Sequence, residues 1–449
     1  MATKVISEIV ARLSEHTSRG LAAALSAAIS ESALPEGTLL PPIRAVAEEL
    51  GLSPSTVSVA WKLLARAGAI RSDGRRGTVV MARKEPGPRR YRRALERSTA
   101  FGLDLSTGVP DPMLLPDLTL ALKNLHRAGT PSSYLENPII PSLVEVLRDD
   151  WPYDAEEFVI VDGAMDALDQ IASHLLRYGD SVVVENPSFP PLLDLLDALG
   201  IQTIGVDVDS EGLVVAQLEE VMSLRPKAVF LQPRAHNPVG ISMSKKRARV
   251  LAALLRGTGV FVIEDDSAGA IASSSPISLG TWLADQTVHV RSFSKSHGPD
   301  LRLAAMSGPQ LIMEGLRERR LLGQGWTSRL LQSVLLDLLT REKSRGQIAR
   351  AREVYSERRA IVTGELARLG CATVGDDGLN LWLPVRDETA SLLYLAHRGI
   401  VAAAGSPFGT RNGGGAHLRI TVGLVVDDFE RITSELAHAS KIASAVGPR

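Results

Sequence analysis

SFSKSHGPDLR, running from Ser292 to Arg302, holds a single lysine, Lys295, among small hydroxyl residues. The run before it, Thr287 to Val290, is short and β-prone and predicts a buried strand. The ends of such strands are where α/β sheets bind ligands. A lysine there, shielded from water and held near a fixed cation such as Arg302, has its ammonium form disfavoured and can condense with an aldehyde. Ser292, Ser294 and Arg302 can hold a phosphate. Together they point to a phosphorylated aldehyde, with pyridoxal phosphate the obvious candidate. The alternative for this segment taken alone is a surface lysine in a loop.

Working outward, strands alternate with helical segments. Phe158 to Val161, Ser181 to Glu185, Thr203 to Val206, Ala228 to Gln232 and Val260 to Glu264 read as strands, with helices over Met165 to Leu176 and Pro191 to Leu199. This alternation predicts helices on a mostly parallel sheet. Four pieces in it carry chemistry. In DGAMDALDQ, Gly163 ends a strand and opens a helix, so the amides of Ala164 and Met165 can face a phosphate; most such glycines merely make the turn. ENPSFP places Phe189 where its ring can cover a flat cofactor, or simply fill the core. In QPRAHNPVG, Asn237 precedes a proline and offers an amide to a phenolate oxygen. VFVIEDDSAG delivers Glu264, Asp265 and Asp266 at a strand end, where a carboxylate can pair with a pyridine nitrogen or cap a helix.

The first eighty residues follow another plan. Thr17 to Ser32 has Leu21, Leu25, Ala28 and Ile29 at helical spacing, and Pro35 and Gly37 force a turn after it. Pro42 to Leu50 reads as a second helix stopped by Gly51. Ser53 and Pro54 start a third, running to about Ala67, with Val57, Ala60, Trp61 and Leu64 inward and Ser55, Thr56, Ser58 and Lys62 outward. Ala69 to Ala82 reads as a hairpin with Arg71, Arg75 and Arg76 near its tip. This order is the winged helix-turn-helix plan, and LPEGTLLPPIRAVAEELGLSPSTVSVAWKLLARAGAIRSDGRRGTVV resembles the DNA-binding domain of GntR-type bacterial repressors. The resemblance implies that Arg44 touches a phosphate, that Ser53, Ser55 and Thr56 lie at the groove, and that the wing at Gly77 sits on the backbone. Pro54 stands where that family usually has an arginine, a natural reader of guanine. A small helical protein-interaction domain is the alternative. Residues 83–97 are rich in arginine, with Pro86, Gly87 and Pro88 stiffening the start, a basic tether that is either a solvated linker or a source of sequence-independent phosphate contacts.

The totals constrain the rest. A chain of 449 residues exceeds one ordinary core, and 45% hydrophobic with 22% charged residues suits a globular protein. A net charge of -1 means that DNA contact must come from local basic patches. One cysteine, Cys371, excludes an internal disulfide and a cysteine-rich metal site. The N-terminal residues lack the continuous apolar core of a signal peptide, and no segment is apolar enough to span a membrane, so the chain is expected in the cytoplasm.

Gly163, Phe189, Asn237, Asp265, Lys295 and Arg302, in that order, resemble the class I aminotransferase fold, fold type I of the pyridoxal phosphate proteins, over most of Leu105 to Val446. The resemblance implies that Lys295 forms the Schiff base, Asp265 pairs the pyridine nitrogen, Asn237 bonds the ring hydroxyl and Phe189 stacks on the ring. It further implies that Ser292 and Arg302 hold the phosphate with the amides of Gly163, Ala164 and Met165. In HLRITVG, Arg419 falls where the family's arginine clamps a substrate carboxylate, and Tyr134 matches the tyrosine that reaches a neighbouring subunit's phosphate. Ser267 stands where related proteins carry a tyrosine. Over its whole length the chain resembles the MocR family of bacterial transcription regulators: a DNA-binding domain over 1–82, a linker over 83–104, and an aminotransferase-like domain over 105–449, large part about 105–345 and small part about 346–449. In that family's terms pyridoxal 5'-phosphate, or its aldimine with a small amine or amino acid, is a sensed ligand, the assembly is a homodimer, and the partner is DNA at paired half-sites. The competing expectation is a working aminotransferase with an appended DNA-binding module; a regulator that has lost its cofactor is the third.

Overall fold

The structure is a computed structural model, which describes residues 2–443 apart from 14, 32, 67–68, 74–76, 82–88, 95–101, 126–132, 134 and 411–414. The chain divides into two compact units, the first chiefly Met1–Gly87 and the second chiefly the remainder.

The first unit contains α1 (Ala2–Val10), α2 (Ser18–Ser30), β1 (Leu39–Leu40), α3 (Ile43–Glu49), α4 (Pro54–Arg66), β2 (Ile70–Asp73) and β3 (Gly77–Val80). Thr17 caps α2 by accepting from the amide of Gly20 at 3.0 Å. Leu21, Leu25, Val46, Val57, Ala60, Trp61 and Leu64 form one core with Ile70 and Val80 of the hairpin, so the inward positions expected from spacing are buried. Two elements were not anticipated. The N-terminal residues, broken by charges in sequence, form amphipathic α1, which buries Val5 and Ile9 in that core while Arg12, just beyond it, pairs with Glu8 at 2.6 Å and Glu31 at 2.7 Å. The stretch read as a turn contributes β1, whose Leu39 and Leu40 pair with Val79 and Thr78 to make a three-stranded sheet in the order β1-β3-β2.

The second unit opens with α5 (Arg89–Ala94), β4 (Leu103–Asp104), α6 (Thr119–Lys123) and α7 (Pro141–Asp149). Its main body continues through β5 (Glu157–Val161), α8 (Ala164–Leu175), β6 (Ser181–Asn186), α9 (Pro190–Ala198), β7 (Gln202–Asp209), β8 (Gly212–Leu213), α10 (Val215–Val221), β9 (Ala228–Leu231) and α11 (Lys245–Leu255). It closes with β10 (Phe261–Asp266), α12 (Gly280–Leu283), β11 (Thr287–Ser292), α13 (Ser294–His297), β12 (Ala304–Gly308), α14 (Gln310–Leu321) and α15 (Arg329–Thr340). The sheet order is β5-β12-β11-β10-β9-β6-β7-β8. Strands β11, β10, β9, β6 and β7 run parallel to one another, while β12 enters antiparallel between β11 and β5 and the edge strand β8 pairs antiparallel with β7. The expected alternation is present, and the central strands are buried along their length because helices cover both faces.

A 27-residue helix, α16 (Glu342–Arg368), leads to β13 (Asn380–Pro384), α17 (Glu388–His397), β14 (Ile400–Val401), β15 (Ala403–Ala404), β16 (His417–Thr421) and α18 (Phe429–Lys441). Strands β13, β16 and β15 form an antiparallel sheet packed on α16 and α18 through Val362, Leu366, Leu381, Leu418 and Leu436.

Two departures concern the stretch read as a linker over 83–104. Its end, β4, pairs parallel with β14, and the following Leu105 is buried in the same core as Leu381 and Leu418, so these residues belong with the smaller part rather than the larger. Its middle forms α5, with Ala94 buried beside Val239, Ile241, Trp382 and Phe408. The arginine-rich composition concealed one small apolar residue that anchors the helix.

Candidate functional site

The DNA-binding candidates are carried by α3, α4 and the hairpin. Ser53 ends the turn before α4, and its Oγ accepts from the amide of Thr56 at 3.0 Å while lying 2.7 Å from Ser55 Oγ. Arg44, Ser53, Ser55 and Lys62 are exposed and Thr56 and Ser58 half-buried, because burial of Val57, Ala60, Trp61 and Leu64 turns the opposite face of α4 to water. Gly77, with φ 88°, opens β3. Arg75 and Arg76 lie outside the described residues, as does Tyr134.

At the ends of the parallel strands the second set of candidates converges. Lys295 sits on α13, a single turn, and its Nζ lies 3.4 Å from Ser267 Oγ. Asp265 lies within β10 rather than beyond its end, one residue from the end of the strand, and is buried. One of its oxygens accepts from Gln232 Nε2 at 2.7 Å, and the same amide nitrogen is 3.3 Å from Ser267 Oγ. The Gln232 carbonyl oxygen accepts from the backbone amide of Asn237 at 2.7 Å. Asn237 Oδ1 in turn accepts from Asn380 Nδ2 at 3.1 Å, which leaves the Asn237 amide group free to donate. Gln232 has no site role in the sequence reading. Gln232 begins the QPRAHNPVG segment already singled out, but its role depends on β9 lying beside β10, which spacing along the chain does not encode.

Gly163, with φ 103°, precedes α8 and supplies no side-chain cap, so the amides of Ala164 and Met165 begin the helix without a side-chain acceptor at that position. A Cβ at Gly163 would stand 3.1 Å from Arg302 Nη2, and Arg302 also donates to Asp162 O at 3.3 Å. Arg302 and the Gly163 turn are therefore together, and Arg302 is exposed. Ser292 Oγ, at the end of β11, accepts from the amide of Ser294 at 3.3 Å. Phe189 is half-buried in the loop before α9. Arg419 on β16 donates to Ser106 O, and its guanidinium lies 5.3 Å over the Phe408 ring.

Burial sets the charge states. It pushes the Lys295 ammonium below the ordinary lysine range, and the Asp265 carboxylate opposes that shift while Arg419 adds to it. This corrects the expectation that Arg302 is the neighbouring cation: the guanidinium felt by Lys295 is that of Arg419, brought in from the smaller part. Burial likewise raises Asp265 to about 6, against the stabilising bond from Gln232. Its neighbour Asp266 goes the other way. Burial alone would raise it, but Arg234 at 2.6 Å, together with His289, holds it below the usual carboxylate range. Adjacent carboxylates on one strand thus acquire different characters, since their side chains point to opposite faces of the sheet. His236 and His297, which flank Asn237 and Lys295, are both buried; His236 Nε2 is 3.3 Å from Glu185, and His297 is lowered to about 4 by burial.

Comparison with known proteins agrees with this division. Residues 102–436 match aminotransferase class I and II, and residues 17–80 match bacterial regulatory proteins, gntR family. The chain is 37% identical over 402 residues to the vitamin B6 salvage pathway transcriptional repressor PtsJ of Salmonella typhimurium, covering 86% of this chain and 90% of that one. It is 28% identical to the HTH-type transcriptional regulator TauR of Rhodobacter capsulatus, over 83% of this chain and 85% of the other. Among solved structures, the multiple substrate aminotransferase of Thermococcus profundus superposes with a TM-score of 0.71 at 20% identity, covering 78% of this chain and 94% of that one. That last likeness establishes the fold, an aminotransferase-like α/β domain, whose class uses a pyridoxal-type cofactor. With a DNA-binding gntR domain ahead of such a fold in one polypeptide, and a repressor of the same make-up matched along nearly its whole length, the chain belongs to the MocR-type transcription regulators.

Proposed function

We propose that this regulator senses pyridoxal phosphate through Lys295, alone or together with a small amine or amino acid, and that occupancy of the cleft changes its affinity for DNA. The observation that supports the cofactor is one atom. Asp265 Oδ1 is buried without a hydrogen-bond partner among the described residues, while its other oxygen is taken by Gln232. Leaving such an atom unsatisfied costs about 1–3 kcal/mol, and a protonated ring nitrogen would satisfy it. The residues present therefore fit the group. Pyridoxal phosphate supplies an aldehyde carbon that an amine can attack, on an electron-withdrawing ring.

The chain's own residues would act as follows. Asp265 orients the ring from β10, Asn237 donates to its hydroxyl, and Ser267 Oγ holds Lys295 Nζ toward the cleft. Phe189 covers the ring face. Arg302, Ser292, Ser294 and the amides of Gly163, Ala164 and Met165 hold the phosphate, and Arg419 takes the carboxylate of an amino acid effector. The winged-helix unit contacts DNA through Arg44, Ser53, Ser55, Thr56, Ser58, Lys62 and the wing of Arg75, Arg76 and Gly77. A homodimer, with Tyr134 reaching the neighbouring subunit's phosphate, would present two such units to paired half-sites. The cytoplasm suits a DNA-binding chain with one cysteine, and among the described residues no helix is long and apolar enough to cross a membrane.

Capture of DNA fragments by the purified full chain, with and without pyridoxal phosphate, tests the reading. A coupling of 1–3 kcal/mol, about 5- to 150-fold in DNA affinity, is expected. Sustained amino transfer from a panel of amino acids with no effect of the cofactor on DNA would instead establish the aminotransferase reading, whose support is an Arg419 guanidinium near enough to Lys295 to act on its charge. A substitution isolates the phosphate cradle. Gly163→Ala forces a side chain into a positive-φ turn at about 1–3 kcal/mol and crowds Arg302. It is expected to weaken pyridoxal phosphate about tenfold and to leave unphosphorylated pyridoxal unaffected, as read by titration of each.

A further inference from the structure

Helix α5 has the sequence RRYRRA, and one side of it is fixed to the second unit. Ala94 is buried among Val239, Ile241, Trp382 and Phe408. Arg90 Nη1 lies 2.6 Å from Asp197 and 3.5 Å from Asp194, and the Arg90 amide donates to Asp194 at 3.3 Å. These contacts use one of the four arginines. Arg89, Arg92 and Arg93 are exposed and make no ion pair among the described residues. Three positive charges thus stand together on a helix about 9 Å long, held in place by an apolar anchor and two carboxylates rather than free on a tether.

Only residues 81–88 separate β3 of the wing from this helix. Fully extended, they span on the order of 30 Å, about nine base pairs of duplex at 3.4 Å each. Whatever the arrangement of the two units, a winged-helix domain on DNA keeps α5 within that distance of the same duplex. A sulfate-sized or peptide anion would need a pocket, which a convex helix face lacks; an extended polyanion does not. We propose that Arg89, Arg92 and Arg93 contact DNA phosphates flanking the site bound by the winged helix, from a helix mounted on the aminotransferase-like unit. The inference rests on the reading that the chain binds DNA. It adds a route for the ligand signal: Phe408, on which α5 is seated, also lies under Arg419, so a ligand that engages Arg419 acts on the seat of a DNA-contacting helix.

The test is the salt dependence of binding of the full chain to a mixed-sequence duplex. Each phosphate contact contributes about 0.9 to the slope of log affinity against log salt. The triple substitution R89Q/R92Q/R93Q is expected to reduce the slope by about two to three units, with cofactor titration unchanged as evidence of an intact fold. Each single substitution is expected to remove about one unit, so failure of the triple variant to fold does not spoil the measurement. Lys62→Gln on α4 serves as the comparison, with an expected drop of about one unit. A wild-type slope in the arginine variants with a reduced slope in Lys62→Gln overturns the α5 contact and leaves the DNA reading standing. No binding to any duplex by the unaltered chain overturns both.

Discussion

Lys295→Ala is expected to abolish covalent capture of pyridoxal phosphate, seen as loss of the visible absorbance band of lysine-bound cofactor. Affinity should fall by on the order of a hundredfold or more, about 2.7 kcal/mol. Lys295→Arg should lose the band as well, because a guanidinium keeps its proton and does not act as a nucleophile at neutral pH. The effect is large because the amine is singular. It projects from a one-turn helix pinned between β11 and the Gly298 turn, with the amide of His297 donating to Phe293 O at 2.8 Å and that of Phe293 donating to Leu303 O at 3.1 Å. Enclosure there lowers its pKa, which makes the neutral, nucleophilic form more accessible than for a surface lysine. DNA affinity without cofactor should be unchanged, since the winged-helix unit has its own core. What should disappear is the response to the cofactor. A variant that still shows the wild-type band and response would mean that a different amine captures the aldehyde, and the assignment of Lys295 would be lost.

Asp265→Asn is expected to have opposite effects on stability and on binding. In the folded protein Asp265 titrates at about 6 against an ordinary value of 3.8. The folded state therefore holds a proton that the unfolded state has released. Its contribution to stability is full below about pH 4 and is lost as pH rises through about 6, on the order of 3 kcal/mol in all. Above pH 6 the cofactor-free protein carries a buried carboxylate with one unsatisfied oxygen, and asparagine relieves that charge. Thermal melts of the cofactor-free variant should exceed wild type above pH 6, while cofactor affinity falls because the amide offers no negative charge to the ring nitrogen. His297 changes in the other direction. Burial lowers it from 6.5 to about 4, so its contribution is present above about pH 6.5 and is lost as pH falls through 4. In the wild type the two slopes oppose each other between about pH 4 and 6.5, and Asp265→Asn should uncover the histidine as a loss of stability on acidification. Equal melts for the two proteins at every pH would show that Asp265 carries no burial cost, and its orphaned oxygen would no longer argue for a ligand.

Much of this molecule is written in local pattern. The buried face of α4 follows from the spacing of Val57, Ala60, Trp61 and Leu64, and the parallel sheet from the alternation of apolar runs with helical ones, because each needs only the period of its own segment. The same holds for Lys295, Asp265, Asn237 and Gly163, each marked by a neighbouring glycine, proline or strand end. What needed the folded chain are the contacts between segments far apart in it. Arg419, rather than Arg302, is the cation felt by Lys295. Gln232 joins Asp265 to Asn237, β12 slips in antiparallel between β11 and β5, and α5 is seated on Phe408 rather than free in solvent. Strand order and domain packing decide which distant side chains share a low-dielectric space, and no spacing along the backbone carries that information.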